Sequence, residues 1–268
     1  MSGNKYIRSL ERGLEVLLAL QERRQASLHE LAQTTQLPKS TVKRILSTLE
    51  RAGFLYRSIG DHQYRISVNV QRITRHLDDR DKLLEAAKPV LENLCRTTIW
   101  PADVLVRHDD MMVVAESSRA LSPFNISHDN IGFLVHFLVS ASGRAYLAFC
   151  PNEERIEIIT KLKQSGDASN RLAKKPAELD KILAETRQRR YAIRDPAYGG
   201  GYGLRRPVSR DGLSAMAVPI LDHSEVQGVI SMVWFPTAMT LGRVVDEYLP
   251  ALWQAADEIA ELLPAANG

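Results

Sequence analysis

Apolar residues recur at helical spacing through the first fifty positions, then give way to short alternating runs. Ile7, Leu10, Leu14, Leu17 and Leu18 form one stripe near a possible cap at Ser9. They predict a first helix packing behind its neighbours and giving them a core. Ser27 and Glu30 have capping-box spacing, followed by Leu28, Leu31 and Ala32 on one face of a short helix. Thr34 to Leu37 break the pattern, and Pro38 suits the first turn of a further helix. That helix places Val42, Ile45, Leu46 and Leu49 on one face and polar residues around the rest. Gly53 ends it. Phe54–Arg57 and Gln63–Ile66 then predict two short strands around a turn containing Gly60-Asp61.

Helix, turn, polar-faced helix and hairpin, in that order, make a winged helix-turn-helix pattern. A major groove admits one α-helix, and the N-terminal residues of the second helix meet the base edges. Here they are Lys39, Ser40, Thr41, Lys43 and Arg44. The hydroxyls donate or accept at bases or phosphates, and the cations suit phosphates or guanine edges. Arg57, His62 and Arg65 are placed for the flanking backbone or minor groove. A solvated amphipathic helix pair accounts for any one of these features. Their order points to double-stranded DNA as a partner.

Val70, Ile73 and Leu77 predict a linker helix over 68–82, with a break near Asp78–Asp81. Exposed apolar residues there suit dimerisation or packing on a second domain. Leu83, Leu84, Ala87, Val90, Leu91 and Leu94 open that second domain. Strand pairs are predicted at Asp103–His108 with Met111–Glu116, and at Leu213–Leu221 with Val226–Trp234, plus a strand over Phe124–Ser127. Helices are predicted over Ser140–Phe149, Glu153–Lys163 and Pro176–Arg190, with a closing helix, Leu241–Leu263, interrupted at Pro250. The expected fold is α+β: an antiparallel sheet flanked by helices in domain 83–268, joined by 68–82 to a DNA-binding domain, 1–67.

Charge sharpens the picture. Residues 1–66 hold 11 Lys and Arg against 6 Asp and Glu, a net of +5, leaving −2 for the rest of a +3 chain. The positive end coincides with the helix-turn-helix, as an electrostatic footprint should. Composition is that of an ordinary globular protein, 44% hydrophobic and 25% charged across 268 residues. No apolar run reaches the roughly 18 residues of a membrane span. The start, MSGNKYIRSLERG, lacks a signal peptide's apolar core. Cys95 and Cys150 lie far apart, so no disulfide framework is expected and the cytoplasm is the expected location. Neither cysteine has zinc-site spacing to a histidine, and no metal or cofactor is expected. A hydrolase would need Ser142, outside any G-x-S-x-G elbow, with His128 or His136 chosen without guidance from seven histidines.

Three segments carry a family resemblance: RSLERGLEVLLAL running on through LHELAQTTQLPKSTVKRILSTLERAGFL; SASGRAYLAFCP at Ser140–Pro151; and GLSAMAVPILD at Gly212–Asp222 followed by GVISM. Together they resemble the IclR family of bacterial transcriptional regulators over nearly the whole chain. Within it, Trp100-Pro101 with Asp103, Met112-Val113-Val114 with Glu116, Leu147–Pro151, Ala238-Met239-Thr240 and Leu249–Leu252 look most like the activator subgroup for 3-(3-hydroxyphenyl)propionate catabolism. The resemblance implies a homodimer or dimer of dimers on a palindromic operator, and a GAF-like domain binding a small effector.

Carried over by position, Ala141 and Ser142 present backbone N–H groups to an anion, and Leu213, Ala215, Ser231 and Val233 line the site from strands. Phe124, Val135 and Leu138 are candidates for its apolar wall. Ala215 and Val233 stand where relatives sensing keto acids tend to be polar. Tyr198 replaces a family-typical acidic residue. A less polar site implies an aromatic carboxylic acid, and with it an activator of aromatic catabolism. The alternative is a repressor of a catabolic operon answering a small keto or aliphatic acid. Tyr198–Gly203, before Arg205-Arg206, lacks the P-loop pattern and reads as a surface loop or a flap.

Overall fold

The structure is a computed structural model, and it describes residues 6–70, 79–124, 126, 130–200 and 211–263. The chain divides into two compact units, Met1–Leu77 and Asp78–Gly268.

In the first unit, α1 (Arg8–Arg23), α2 (Leu28–Thr35) and α3 (Lys39–Arg51) precede a hairpin of β1 (Leu55–Arg57) and β2 (Tyr64–Ile66). The capping box at the start of α2 is complete: Ser27 Oγ accepts from Glu30 N–H at 3.3 Å, and the Glu30 carboxylate accepts from Ser27 N–H at 2.7 Å. Pro38 takes the N-cap of α3 rather than its first turn. Gly53, at φ +80°, turns the chain from α3 into β1, a conformation that glycine adopts without strain. Val16, Ala19, Leu20, Leu31, Ala32, Val42, Leu46 and Leu55 form the core.

That core corrects the reading of α1. Ile7, Leu10, Leu14 and Leu18 are 67, 59, 52 and 58% exposed, and the buried side is Val16, Ala19 and Leu20. The helix carries two apolar faces, and the denser one is outward. Ile7, rather than Ser9, stands at its N-cap, with no side-chain cap bond.

Val68–Val70 form a single 3-10 turn, and residues 71–78, most of the expected linker helix, lie outside the described residues. The second unit opens with α4 (Asp79–Thr98). Its sheet contains β3 (Ala102–His108), β4 (Met111–Ser117), β5 (Leu134–His136), β6 (Ala192–Ile193), β7 (Ser214–Asp222) and β8 (Glu225–Trp234), in the order β5-β4-β3-β8-β7-β6 with every pairing antiparallel. Between strands lie α5 (Ala141–Phe149), α6 (Asn152–Gln164) and α7 (Pro176–Arg189), and α8 (Leu241–Leu262) closes the unit. Side chains alternate across each strand, so each face builds its own core. Val104, Val106, Met216, Val218, Ile230 and Met232 meet α4 and α8 on one face. Leu105, Ala215, Ala217, Val229 and Val233 meet α5 and α7 on the other.

Two expectations fail here. Phe124 and Ile126 are not in a strand; the strand at that edge is β5, ten residues on. Pro250 does not interrupt α8. It lies on the exposed side, where water can serve the carbonyl it frees, while Val244, Leu252 and Ile259 stay buried.

Candidate nucleic-acid interface and effector site

On α3, Val42 and Leu46 are buried, leaving Lys39, Ser40, Lys43, Arg44 and Ser47 exposed and Thr41 half-buried. No acidic residue sits in the first turn. No described residue hydrogen-bonds or ion-pairs with the side chains of Lys39, Lys43 or Arg44. The exposed end of α3 therefore combines unengaged cations, hydroxyls and a helix N-terminus, all favouring an anionic partner. Thr41 and Arg44 also line a groove of about 520 Å³ with Leu10, Gly13 and Leu14 of α1 and Ile45 and Leu49 of α3.

The hairpin residues behave differently. Arg57 Nε donates to the His62 carbonyl at 3.0 Å, and its guanidinium lies 5.8 Å from the Tyr64 ring centroid. Arg65 donates to both Asp61 oxygens, at 3.0 and 2.6 Å, and to Gln25. Those bonds, with the Gln63 N–H, hold the Asp61 carboxyl well below the usual carboxylate range. Both arginines thus make bonds within the wing and its base.

In the second unit the expected effector residues converge on one face of the sheet. Ala215 pairs with Val233 across β7 and β8, and Ala217 with Ser231. Ala215, Ser231, Val233, Leu138, Ala141 and Ser142 are all buried; Leu213 and Val135 are half-buried against the same core. Phe124 stacks on Trp100 at 4.3 Å and meets Phe235 edge-on at 6.3 Å.

Ser140 caps α5: its Oγ accepts from Gly143 N–H at 2.9 Å and donates to the His136 carbonyl at 2.7 Å. The Ala141 and Ser142 N–H groups receive no partner from any described residue. Ser142 Oγ lies 3.2 Å from Ser140 Oγ. Position 143 must be glycine, because a Cβ there would lie 2.2 Å from Phe137 Cα. That contact seats the start of α5 directly on the preceding turn.

A buried polar group escaped the sequence reading. Asp103, opposite Ser231 on β8 and Ser117 on β4, is 3% exposed. Its carboxylate accepts from Ser117 Oγ at 2.7 Å, Arg119 Nη2 at 2.7 Å and Asn130 Nδ2 at 3.0 Å. The Asn130 carbonyl oxygen is buried with no partner among the described residues. The available signal was an aspartate at an inward strand position with a basic residue following at Arg119. Beside β5, His136 Nε2 lies 2.9 Å from Asp167 Oδ2, and its backbone N–H and Nδ1 each lie 3.4 Å from Tyr198 Oη. The Tyr198 phenol thus reaches the β5 edge. Ser142, the serine a hydrolase would need, has its hydroxyl 3.2 Å from Ser140 Oγ, and the Ser140 hydroxyl in turn donates to the His136 backbone carbonyl. His128 and the loop from Gly201 to Arg206 lie outside the described residues.

Family models match both units: the IclR helix-turn-helix domain over residues 9–58 and the bacterial transcriptional regulator IclR C-terminal domain over residues 75–261. The chain belongs to the IclR family. It is a DNA-binding transcriptional regulator with an effector-binding domain, and its relatives are regulators rather than hydrolases. It is 27% identical to the probable transcriptional regulator SauR of Cupriavidus necator, over 88% of each chain. It is also 27% identical to the transcriptional repressor IclR of Escherichia coli K12, over 94% of this chain and 89% of that one. An IclR homologue from Microbacterium hydrocarbonoxydans, solved with 4-hydroxybenzoate, shares the fold at TM-score 0.51 and 21% identity, covering 95% of this chain and 98% of that one. Among the described residues no helix is long and apolar enough to cross a membrane.

Proposed function

We propose that this IclR-family protein is a cytoplasmic homodimeric activator of aromatic-acid catabolism, switched by an aromatic carboxylic acid. The carrying observation is the start of α5, where two unpartnered N–H groups are buried against a sheet face that is apolar apart from Ser231 and Asp103. A carboxylate takes the N–H groups and the helix dipole, while Ala215, Val233, Leu138 and the Phe124 wall suit a ring. The Asn130 carbonyl oxygen offers an acceptor to a ring hydroxyl, in keeping with the resemblance to the 3-(3-hydroxyphenyl)propionate subgroup. The solved 4-hydroxybenzoate complex shows that a protein of this fold holds such a ligand.

On the DNA side, Lys39, Ser40, Thr41, Lys43 and Arg44 contact a palindromic operator, while Arg57 and Arg65, bonded to the wing's own turn, fix its shape. Two copies meet through the outward apolar face of α1, and residues 68–82 link this domain to the sensing domain.

The test is a thermal-shift and operator-binding screen with 3-(3-hydroxyphenyl)propionate, 4-hydroxybenzoate, pyruvate and glyoxylate. An aromatic acid at a hundred times its Kd adds about 2.7 kcal/mol of stability. As a regulatory effector it favours one DNA-binding state and so should also change operator affinity. A response to the keto acids alone would refute the aromatic reading. The E. coli relative is a repressor, so a promoter fusion decides the sign: expression in the aromatic acid should require the intact gene.

A further inference from the structure

Ile59, at the tip of the β1–β2 hairpin, is 93% exposed, the most open of the large apolar side chains among the described residues. The surrounding chain is built to hold it there. Ser58 N–H donates to the Gln63 carbonyl at 2.8 Å, and His62 N–H donates to the Ser58 carbonyl at 3.1 Å. Gln63 N–H donates to Asp61 Oδ1 at 3.1 Å, and Arg57 Nε and Arg65 close the loop from below. The base is fixed in turn: Ala26 and Tyr64 exchange N–H···O bonds of 3.1 and 2.8 Å, and Leu55 shares a core with Val42 and Leu46 of α3. The cations a phosphate-gripping wing would extend are drawn onto its own turn, and the Asp61 charge is neutralised by Arg65. What the turn offers outward is one branched hydrocarbon side chain on a rigid mount.

We propose that Ile59 is an apolar wedge. As α3 occupies the major groove, the wing tip enters the neighbouring minor groove and Ile59 leans between two base pairs. Inserted apolar side chains unstack a step and kink the duplex, and pyrimidine–purine steps yield most readily. Ile59 would therefore set sequence preference at a position where no hydrogen bond reads a base. The proposal rests on the family's DNA binding and is independent of the effector's identity.

The experiment uses the full-length protein on an operator it selects from random-sequence DNA. 2-Aminopurine is placed singly at each flanking step, and end-to-end energy transfer reports bending. Wild type should brighten one step per half-site and shorten the end-to-end distance. Ile59→Ala should lose both signals and bind about tenfold more weakly, with the slope of affinity against salt unchanged. Ile59→Leu should restore them. Replacing the step by a stiff A-tract should weaken wild type and leave Ile59→Ala unaffected. Persistent brightening and bending in Ile59→Ala would overturn the proposal. So would an Ile59→Ala effect traced to lost dimer mass or a lowered melting temperature, since Ile59 would then serve a protein contact.

Discussion

Cys150 shows how surroundings, burial first, set the chemistry of a residue. Burial, with Glu154 nearby adding repulsion, pushes its thiol up to about 11. A group whose folded-state pKa is raised stabilises the fold fully below its unfolded value, and that stability fades as pH climbs. The window therefore runs from about 9, the ordinary thiol value, to about 11. The urea midpoint of wild type should fall across that window, and Cys150→Ala should flatten the decline. Gly143 is a second case at this scale. Its identity follows from one backbone approach, which no local pattern announces. The sequence shows only that a glycine stands among small residues; the reason is Phe137, six positions earlier and folded back.

Among elements, legibility followed how far each depended on its neighbours. The capping box, α3 and both long hairpins were readable because their signals are local: a cap three residues from its partner, a 3.6-residue stripe, a two-residue turn. His223 and Ser224, at φ +45° and +74°, are the left-handed pair that such a turn requires. The misreadings came where two local answers compete. In α1 the longer stripe is outward, because the small cavity behind α2 and α3 takes Val16, Ala19 and Leu20 instead. A strand is expected over Phe124–Ser127, but the Phe124 ring stacks on Trp100 and its backbone bonds locally, its N–H donating to Ser122 Oγ and its carbonyl accepting from Ile126 N–H. Of the effector candidates, the strand residues Leu213, Ala215, Ser231 and Val233 come from the family resemblance carried over by position, not from a local pattern. Asp103 and its partners were not legible, because Asn130 and Arg119 reach it only once the loops fold. The outward face of α1 yields its own prediction. Leu14→Glu, at an exposed position, should leave the melting temperature within about 0.5 kcal/mol of wild-type stability. In light scattering it should shift the protein toward half the mass; an unchanged dimer would remove α1 from the interface.

For the whole molecule, the division of charge has a measurable consequence. The proposed DNA contacts are Lys39, Lys43 and Arg44 of the positive unit, in each copy of the proposed dimer. Each neutralised phosphate contributes about −0.9 to the slope of log affinity against log salt. One copy then gives a slope of about −3 and two give about −5. A fluorescence-anisotropy series across salt distinguishes them, and Lys43→Ala should reduce the two-copy slope by about 2.

The two buried thiols carry a practical consequence as well. Cys95 and Cys150 are 2 and 4% exposed, and burial raises both. Neutral and enclosed, they are poor nucleophiles at pH 7. A cysteine introduced on the wing surface would then be the reactive thiol for a spin label or dye, with both native cysteines left in place. The separation of two such labels across the proposed dimer would be a ruler for half-site spacing.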